Sequence, residues 1–468
     1  MSPPCRPCPA MQFGALGTPR PSFSIGMKPI KAAKTSALLV ALFFIVYPSC
    51  NWITAHRAHV GTLFFEWERH IPFVPLMIIP YMSIDLFFVA APFLCRDERE
   101  LSTLAKRISF AIIVAGICFL LFPLRFAFER PHVSGWLGVI FNNFRNFDQP
   151  YNLLPSLHIA LRTILAHLYA RHSTGVLRVA SNLWFSLIGF STVLTYQHHV
   201  IDVAAGFVLA GYCFYLFREA PVAEPAAGNF RIAVYYTFGV VASICLAALF
   251  WPWGSLLLWV TYALNTVARA HFWRGPGIFR KTDGRLPLSA KFVLAPFLFG
   301  QELSLLYYKR QCRPWDEVVP GVLIGRKLND PEADEAIRSG VTAVLDLTSE
   351  FSEAKPFLRM RYLNIPILDL SAPSQEELRQ MAEFITKNVD AGKVYVHCKV
   401  GYSRSAAAVG AYLISGGKAA SAEEAIIILR RARPTIVVRP EIIEALKMFA
   451  GRDGAMAEIP ANSSLPTV

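Results

Sequence analysis

Long apolar runs alternate with short polar segments along the first two thirds of the chain. Eight of these runs are expected to span a membrane. A ninth run, 287–308, carries Lys291, Gln301 and Glu302, and we interpret it as interfacial or re-entrant. Because about 18 apolar residues span a bilayer, the pattern predicts a polytopic membrane domain at 37–272 and an interfacial linker at 273–312. The eight runs expected to span are 37–54, 71–95, 108–128, 154–170, 179–196, 200–217, 231–250 and 253–270.

From about Arg313 the pattern changes to short apolar strands that alternate with amphipathic helices. Gly340 stands where a left-handed residue ends a helix. Ser374 with Glu377 forms a capping box that opens another helix. Alternating strands and helices predict a partly parallel sheet covered by helices. The fold class is therefore multi-domain: a helical membrane bundle followed by a cytoplasmic α/β domain at 313–452.

The composition supports a membrane protein. Of 468 residues, 54% are hydrophobic and 17% are charged, whereas soluble domains average roughly 45–50% and 25%. Mean hydropathy is +0.39. These values exclude a disordered or fibrous chain and disfavour a wholly soluble enzyme. The net charge of +13, in so apolar a chain, favours contact with anionic lipid and not with nucleic acid.

Lysine and arginine lie mainly in alternate loops. They concentrate before residue 37, in 96–107 and after 270, whereas loops 55–70, 129–153 and 197–199 contain no lysine. Since basic loops stay on the cytoplasmic side, we expect both termini to be cytoplasmic, in a bacterial inner membrane. The segments 1–36 and 453–468 are expected to be flexible tails.

The candidate chemistry of the α/β domain lies in the segment 397–405, His-Cys-Lys-Val-Gly-Tyr-Ser-Arg-Ser. A strand, a loop and a helix start in this order surround one anion with backbone N–H groups. A cysteine in that position has a lowered pKa. Arg404, six residues after Cys398, can hold two phosphate oxygens. This arrangement suits attack of a thiolate on phosphorus through a phosphocysteine, and it implies neither a cofactor nor a metal.

The segment resembles the Cys-x5-Arg motif of protein tyrosine phosphatases, and its Gly-Tyr-Ser-Arg-Ser portion is similar to the dual-specificity branch. The similarity covers about 315–450. It implies that Cys398 is the nucleophile, that Arg404 clamps phosphate and that Asp369, after Tyr-Leu-Asn-Ile, is the general acid. By the same resemblance Ser405 helps the thiolate leave and His397 tunes Cys398. The other loop residues are expected to bind substrate: Lys399, Val400, Gly401, Tyr402 and Ser403.

The substrate of this site stays open between a lipid and a protein. Lys399 beside the nucleophile resembles the form found in lipid-directed members, such as the mitochondrial phosphatidylglycerophosphate phosphatase. Those members carry a basic or small residue where this chain has Tyr402, and Lys399 could equally be a solvated loop charge.

A second group of ionisable residues stands at predicted outer ends of spans. His158 begins the fourth run, and His198 and Asp202 begin the sixth. Residues four apart share a helix face, so Asp202 can orient His198, whereas His199 points elsewhere and is expected to be spare. Charged groups at such positions indicate function. One histidine could attack a phosphoester while the other protonates the leaving oxygen.

These residues resemble the type 2 phosphatidic acid phosphatase superfamily over roughly 70–220. The resemblance implies that His198 is the nucleophile, Asp202 its orienting group and His158 the general acid. Two cations of the family pattern are missing, because Pro123 and Thr192 occupy their positions. The cation expected at the position of Thr192 is an arginine. Sequences without that arginine look more like inositol phosphorylceramide and sphingomyelin synthases, which transfer headgroups between lipids.

Three arginines could hold phosphate at this second site. Arg130 ends the first motif of the family pattern, and Arg125 is a possible substitute for the missing lysine. Arg162, one turn after His158, is either a second phosphate ligand or part of an ion pair inside the bundle.

We therefore expect a bifunctional membrane phosphatase or phosphotransferase that acts on a phospholipid or lipid phosphate. Its two sites would lie on opposite faces of one bilayer. One alternative is a membrane-anchored protein phosphatase, with a phosphoprotein substrate and spans that act as anchor or sensor. The other is a transport or scaffold protein with a vestigial outer site.

Overall fold

The computed structural model describes residues 29–147, 149–218, 228–250, 254 and 257–457. The chain forms two compact units, Met1–Glu219 and Ala220–Val468. Of the predicted tails, 1–28 and 458–468 lie outside the described residues. The parts that are described, 29–36 and 453–457, belong to the helices Pro29–Ala55 and Pro440–Ala457.

The first unit packs helices around an apolar core that includes Ile108, Ile112 and Leu165. Its described residues form seven α-helices: α1 (Pro29–Ala55), α2 (Ile78–Leu94), α3 (Glu98–Leu121), α4 (Gly135–Phe147), α5 (Leu157–His172), α6 (Gly175–Leu194) and α7 (Val200–Leu216).

The second unit begins with further apolar helices and ends in the α/β domain. Its first helices are α8 (Phe230–Leu249), α9 (Leu257–Arg269), α10 (Leu288–Val293) and α11 (Ala295–Lys309). The α/β domain that follows contains β1 (Trp315–Val319), β2 (Val322–Arg326), α12 (Asp330–Arg338), β3 (Val341–Thr348), β4 (Arg361–Ile367), α13 (Gln375–Val389), β5 (Lys393–Cys398), α14 (Ser403–Ser415), α15 (Ala422–Ala432) and α16 (Pro440–Ala457).

Five of the eight predicted spans coincide with long apolar helices of the structure. Within the described residues, five helices are long and apolar enough to cross a membrane: Pro29–Ala55, Pro75–Leu94, Glu98–Leu121, Gly175–Leu194 and Phe230–Leu249. The runs at 154–170, 200–217 and 253–270 give the shorter helices α5, α7 and α9, of 16, 17 and 13 residues. The first of these runs includes polar turn residues, because Ser156 caps α5 instead of continuing it. The ninth run is broken at Leu294 into α10 and α11.

The sheet confirms a partly parallel α/β domain. Its strand order is β1-β2-β5-β3-β4, with only β1 antiparallel to its neighbour. Gly340 has φ +103°, and the Ser374–Glu377 capping box is formed, as predicted. The central strand β5 is buried between two apolar clusters and ends at Cys398. The sheet therefore delivers this cysteine to the carboxyl edge, where parallel α/β sheets bind ligands.

Candidate active sites

The loop between β5 and α14 forms a cup for an anion. Cys398 is the last residue of β5, and α14 begins at Ser403, five residues later. Gly401 turns the loop with φ +77°, and a Cβ there would lie 2.5 Å from the carbonyl oxygen of Gly325. A side chain at this position would therefore push the loop away from β2. Arg433 stabilises the loop, since its Nη2 donates a hydrogen bond to the Val400 carbonyl at 3.2 Å.

Cys398 is held ready to ionise. Burial raises the pKa of its thiol, but the charge of Arg404 and the hydroxyl of Ser405 outweigh burial, and so do the backbone N–H groups of Ser405 and Tyr402. The net effect is a pKa below the ordinary thiol value. The predicted nucleophile is therefore a thiolate over a wider pH range than a free cysteine.

Hydrogen bonds fix the guanidinium of Arg404 and leave one of its N–H donors available. Its Nη1 and Nη2 bond both oxygens of Glu350 at 3.0 and 2.7 Å, and Nη1 also donates to the Ile367 carbonyl at 2.9 Å. Its Nε is buried and has no hydrogen-bond partner among the described residues. A buried donor without a partner is costly, so a phosphate oxygen in the cup would satisfy it. Sequence reasoning missed Glu350, which follows the carboxyl end of β3.

Asp369 lies beside this arginine, where the predicted general acid belongs. Its Oδ1 is 3.1 Å from Arg404 Nη2, and its Oδ2 accepts a hydrogen bond from Lys399 Nζ at 2.6 Å. Burial raises the pKa of Asp369, but Arg404 and Lys399 hold it below its usual value. The side chain is therefore a carboxylate while the cup has no phosphate.

His397 belongs to a buried charge network that sequence reasoning did not find. Its Nε2 bonds Glu353 Oε2 at 2.7 Å and is 3.9 Å from Asp346 Oδ1. Burial lowers the pKa of His397, but these two carboxylates hold it above the usual value. Lys281, from the segment before α10, binds Asp346 and donates to the Thr348 carbonyl at 2.9 Å.

This network also has the residue types of a metal site. Asp346, Glu353 and His397 bring their ligand atoms within 4.8 Å of one another. The ammonium of Lys281 already neutralises Asp346, however, and a second cation beside it would be repelled. We therefore interpret the cluster as a charge-balanced support for β5.

The lowered pKa of Cys398 predicts selective alkylation. At about pH 6, well below an ordinary thiol pKa of about 8.5, iodoacetamide should modify Cys398 before Cys312. Cys312 is the internal control, because burial raises the pKa of its thiol. Peptide mass mapping measures both, and inorganic phosphate should protect Cys398 alone. Equal rates for the two cysteines at this pH would contradict an activated thiolate.

The second group of predicted residues comes together at the starts of α5 and α7. His198 Nδ1 is 3.7 Å from Asp202 Oδ2, too far for a hydrogen bond, and His158 is the second residue of α5. His158 Nε2 is buried without a hydrogen-bond partner among the described residues. Gly206 allows the two helices to meet, since a Cβ there would lie 2.5 Å from the Ser156 carbonyl oxygen. The arrangement can place two imidazoles around one phosphorus.

His199, predicted to be spare for the chemistry, has a structural role. His199 is fully buried, its Nδ1 bonds Glu68 Oε2 at 2.9 Å, and its Nε2 accepts from Ala127 N–H at 3.1 Å. Helix α7 begins only at Val200, so the argument from helix faces did not apply to either histidine. His199 and Glu68 instead fix the turn that carries His198.

The three candidate arginines of this site differ in surroundings. Arg162 donates from Nε to the Phe185 carbonyl at 2.6 Å. Arg125 lines a cleft of about 450 Å³ together with Arg57 and His59. The guanidinium of Arg130 lies 6.0 Å from the centre of the Phe126 ring.

Two family models match the chain. The model described as dual specificity phosphatase, catalytic domain, matches residues 326–451, and the PAP2 superfamily model matches residues 68–216. The fusion that the sequence predicted is thereby confirmed.

Individual phosphatases are also similar to part of this chain. Human dual specificity protein phosphatase 26 is 33% identical over 177 residues, which cover 35% of this chain and 77% of that protein. Human phosphatidylglycerophosphatase and protein-tyrosine phosphatase 1 is 34% identical over 152 residues, covering 30% and 75%. The phosphatidylglycerophosphate phosphatase PTPMT2 of Arabidopsis thaliana is 30% identical over 155 residues, covering 32% and 68%. A crystal structure of PTPMT1 in complex with PI(5)P is 27% identical with a TM-score of 0.29, covering 31% of this chain and 99% of that one.

Proposed function

We propose that this chain, which belongs to the dual-specificity phosphatase family and also carries a PAP2-superfamily domain, dephosphorylates a membrane lipid at Cys398. It is a phosphoric monoester hydrolase of the phosphatase type. A second site around His198 would cleave or transfer a lipid phosphoester. By the distribution of loop charges, the protein would be a multi-pass protein of a bacterial inner membrane with both termini in the cytoplasm. Residues 37–272 would form the membrane domain, 273–312 the linker and 313–452 the cytosolic enzyme.

The observation that carries the lipid proposal is the attachment of the acid loop to a candidate membrane span. Asn229 caps α8 and donates from Nδ2 to the Leu370 carbonyl at 2.9 Å. Leu370 follows Asp369 directly, and α8 is one of the helices long and apolar enough to cross a bilayer. If α8 spans, its end fixes the general acid at the membrane surface. A phosphomonoester on a lipid headgroup would reach the cup without leaving the bilayer.

The relatives support the same substrate class. The Arabidopsis relative is named as a phosphatidylglycerophosphate phosphatase. One human relative is named as both a phosphatidylglycerophosphatase and a protein-tyrosine phosphatase, and the other as a protein phosphatase. A terminal phosphomonoester on an anionic phospholipid suits a site with Arg404 inside the cup and Lys399 at its edge. A phosphoprotein is the alternative substrate.

The proposed reaction follows from the charges in the cup. The Cys398 thiolate attacks phosphorus, an S–P bond forms, and the P–O bond to the lipid breaks. The Nε–H of Arg404 and the N–H groups of the loop hold the equatorial oxygens. A bound phosphate dianion offsets the cations beside Asp369, so this carboxyl gains a proton more readily. Asp369 then protonates the leaving oxygen. Water cleaves the phosphocysteine, Asp369 takes the proton back, and Ser405 stabilises the departing thiolate.

Replacing Asp369 with asparagine should separate substrates by leaving group. Hydrolysis of an alkyl phosphate should fall by about 10²–10⁴-fold, the usual contribution of a general acid. An activated aryl phosphate, whose leaving oxygen needs little protonation, should lose much less. Steady-state kinetics on the two substrate classes measure the difference. A uniform loss for both would show that Asp369 acts in another way.

The lipid proposal is tested by comparing the lipids of cells. Cells without the chain would be complemented with the wild type, with Cys398→Ser or with His198→Ala. We expect a lipid phosphomonoester to accumulate with Cys398→Ser and to disappear with the wild type. An unchanged lipidome with increased phosphotyrosine would favour the protein substrate instead.

The outer site is proposed to act on a phosphodiester. Pro123 and Thr192 stand where the hydrolytic branch has cations, and the Thr192 hydroxyl donates to the Gly189 carbonyl at 2.8 Å. A diester carries less charge than a monoester and needs fewer cations. His198 Nδ1 faces Asp202, so Nε2 would attack phosphorus while His158 protonates the leaving oxygen. A lipid or polyol hydroxyl would then accept the phosphoryl group from His198.

A further inference from the structure

Helix α11, just before the α/β domain, has one face committed to the catalytic loop. Phe297 and Leu305 on this face are buried. Between them, Gln301 accepts a hydrogen bond at 2.9 Å from Lys399 Nζ, the same ammonium that bonds Asp369. One turn beyond Leu305, the ring of Tyr308 meets Tyr402 edge-on at 6.4 Å. Residues spaced by three or four share a helix face, and Gln301 and Tyr308 turn part of this face to the loop that holds Cys398. Phe297, on the same face, packs against Tyr236 and Phe279.

The opposite face of α11 is an exposed apolar stripe. Phe299, Leu303, Leu306 and Tyr307 are 66%, 50%, 57% and 61% exposed. Because these residues are spaced by four, three and one positions, their side chains lie on one face of the helix, about half a turn away from Gln301. Exposed apolar groups of this kind indicate a binding surface.

We propose that this stripe, Phe299, Leu303, Leu306 and Tyr307, docks on the bilayer and holds the Cys398 site against it. The proposal rests on the proposed function, because it gives the lipid substrate its route to the cup. Helix α11 would then lie between the bilayer and the catalytic loop, with lipid on one face and Lys399 on the other. Lys399 would then stand at headgroup level, where the substrate phosphate lies.

Two observations favour lipid over a second protein chain as the occupant. Helix α11 packs against α8, a candidate span whose cap holds the acid loop, since the rings of Phe297 and Tyr236 meet edge-on at 5.9 Å. Four side chains are also far fewer than the roughly 20–30 residues on each side of a stable protein interface. They match the narrow apolar face of a helix that lies in a bilayer surface, and exposed Arg310 directly after α11 suits anionic headgroups.

The functional test replaces two stripe residues together, Leu303→Glu and Leu306→Glu, in the full chain in nanodiscs of anionic phospholipid. Turnover of phosphatidylglycerophosphate in the disc should fall by about tenfold or more, because carboxylates are expelled from the apolar layer. Turnover of a soluble aryl phosphate should stay within about twofold. The matched control is Ile427→Glu with Met448→Glu, two residues of the α/β domain with 50% and 54% exposure. Equal losses on both substrates, or no loss on lipid, would overturn the proposal.

A second measurement does not depend on the substrate. A photoreactive benzoylphenylalanine at position 306 should form phospholipid adducts, detected by mass spectrometry, whereas the same group at position 427 should not. Adducts with a second copy, or with another part of the chain, would overturn lipid docking. Lipid adducts in a protein that hydrolyses only phosphopeptides would uphold the docking and reject the lipid substrate.

Discussion

Cys398→Ser is expected to abolish phosphomonoester hydrolysis by the α/β domain while leaving oxyanion binding intact. A fall of about 10⁴-fold or more is expected, because a serine hydroxyl does not ionise at neutral pH and knocking out a nucleophile has effects of this size. Arg404 and the loop N–H groups do not depend on the sulfur, so the cup keeps its shape. Aryl phosphate kinetics measure turnover, and calorimetric titration with phosphate measures binding.

The control for this variant is Cys312→Ser. Cys312 lies near the same loop, with its sulfur 3.9 Å from the Val400 carbonyl oxygen, yet no part of the mechanism requires it. Its replacement should leave turnover within about twofold. Comparable losses in the two serine variants would point to structural disturbance of the loop. Full activity of Cys398→Ser would contradict the phosphocysteine route.

His198→Ala is expected to remove the second activity and spare the first. Without the imidazole no N–P bond can form, so headgroup transfer from a labelled phospholipid to an added alcohol should fall by about 10³-fold or more. His158→Ala should lose transfer as well, since the leaving oxygen would lack its proton donor. Aryl phosphate hydrolysis at Cys398 should be unchanged in both variants.

His172→Ala is the matched control for the outer site. This histidine ends α5 and bonds Glu100 Oε1 at 2.9 Å, far along the helix from His158. Transfer should survive its loss. Efficient release of phosphate from phosphatidic acid, with no transfer to any acceptor, would instead assign the site to simple hydrolysis.

The parts of the sites that are continuous in sequence could be predicted from it. The loop 397–405 carries its nucleophile, its arginine and its helix start within nine residues, so local geometry alone placed them. Asp369 was placed by the family resemblance, through the Tyr-Leu-Asn-Ile segment of β4 that precedes it. The capping box at Ser374 and the left-handed Gly340 were likewise local and were confirmed.

The supporting charges could not be predicted, because only the fold brings them to the site. Glu350 lies 54 residues before Arg404, and Lys281 lies 65 residues before Asp346. The sequence does show two acidic residues, Glu350 and Glu353, shortly after the strand β3, and this was the available signal that they belong to the site. No feature of the sequence pointed to Lys281. The argument from helix faces failed for His199 because this residue is the N-cap before α7, which begins at Val200. Apolar runs such as 154–170 likewise predicted longer helices than the structure contains, because turn residues interrupt the runs.

The central claim is that Cys398 acts on a phosphomonoester embedded in a membrane. The most direct test uses the full chain in nanodiscs that contain phosphatidylglycerophosphate, with a soluble phosphotyrosine peptide added in parallel. Phosphate release is measured for each substrate with wild type and with Cys398→Ser. The account predicts that kcat/KM for the lipid exceeds that for the peptide by about tenfold or more, and that Cys398→Ser eliminates both. Efficient peptide hydrolysis with no release from the lipid would contradict it.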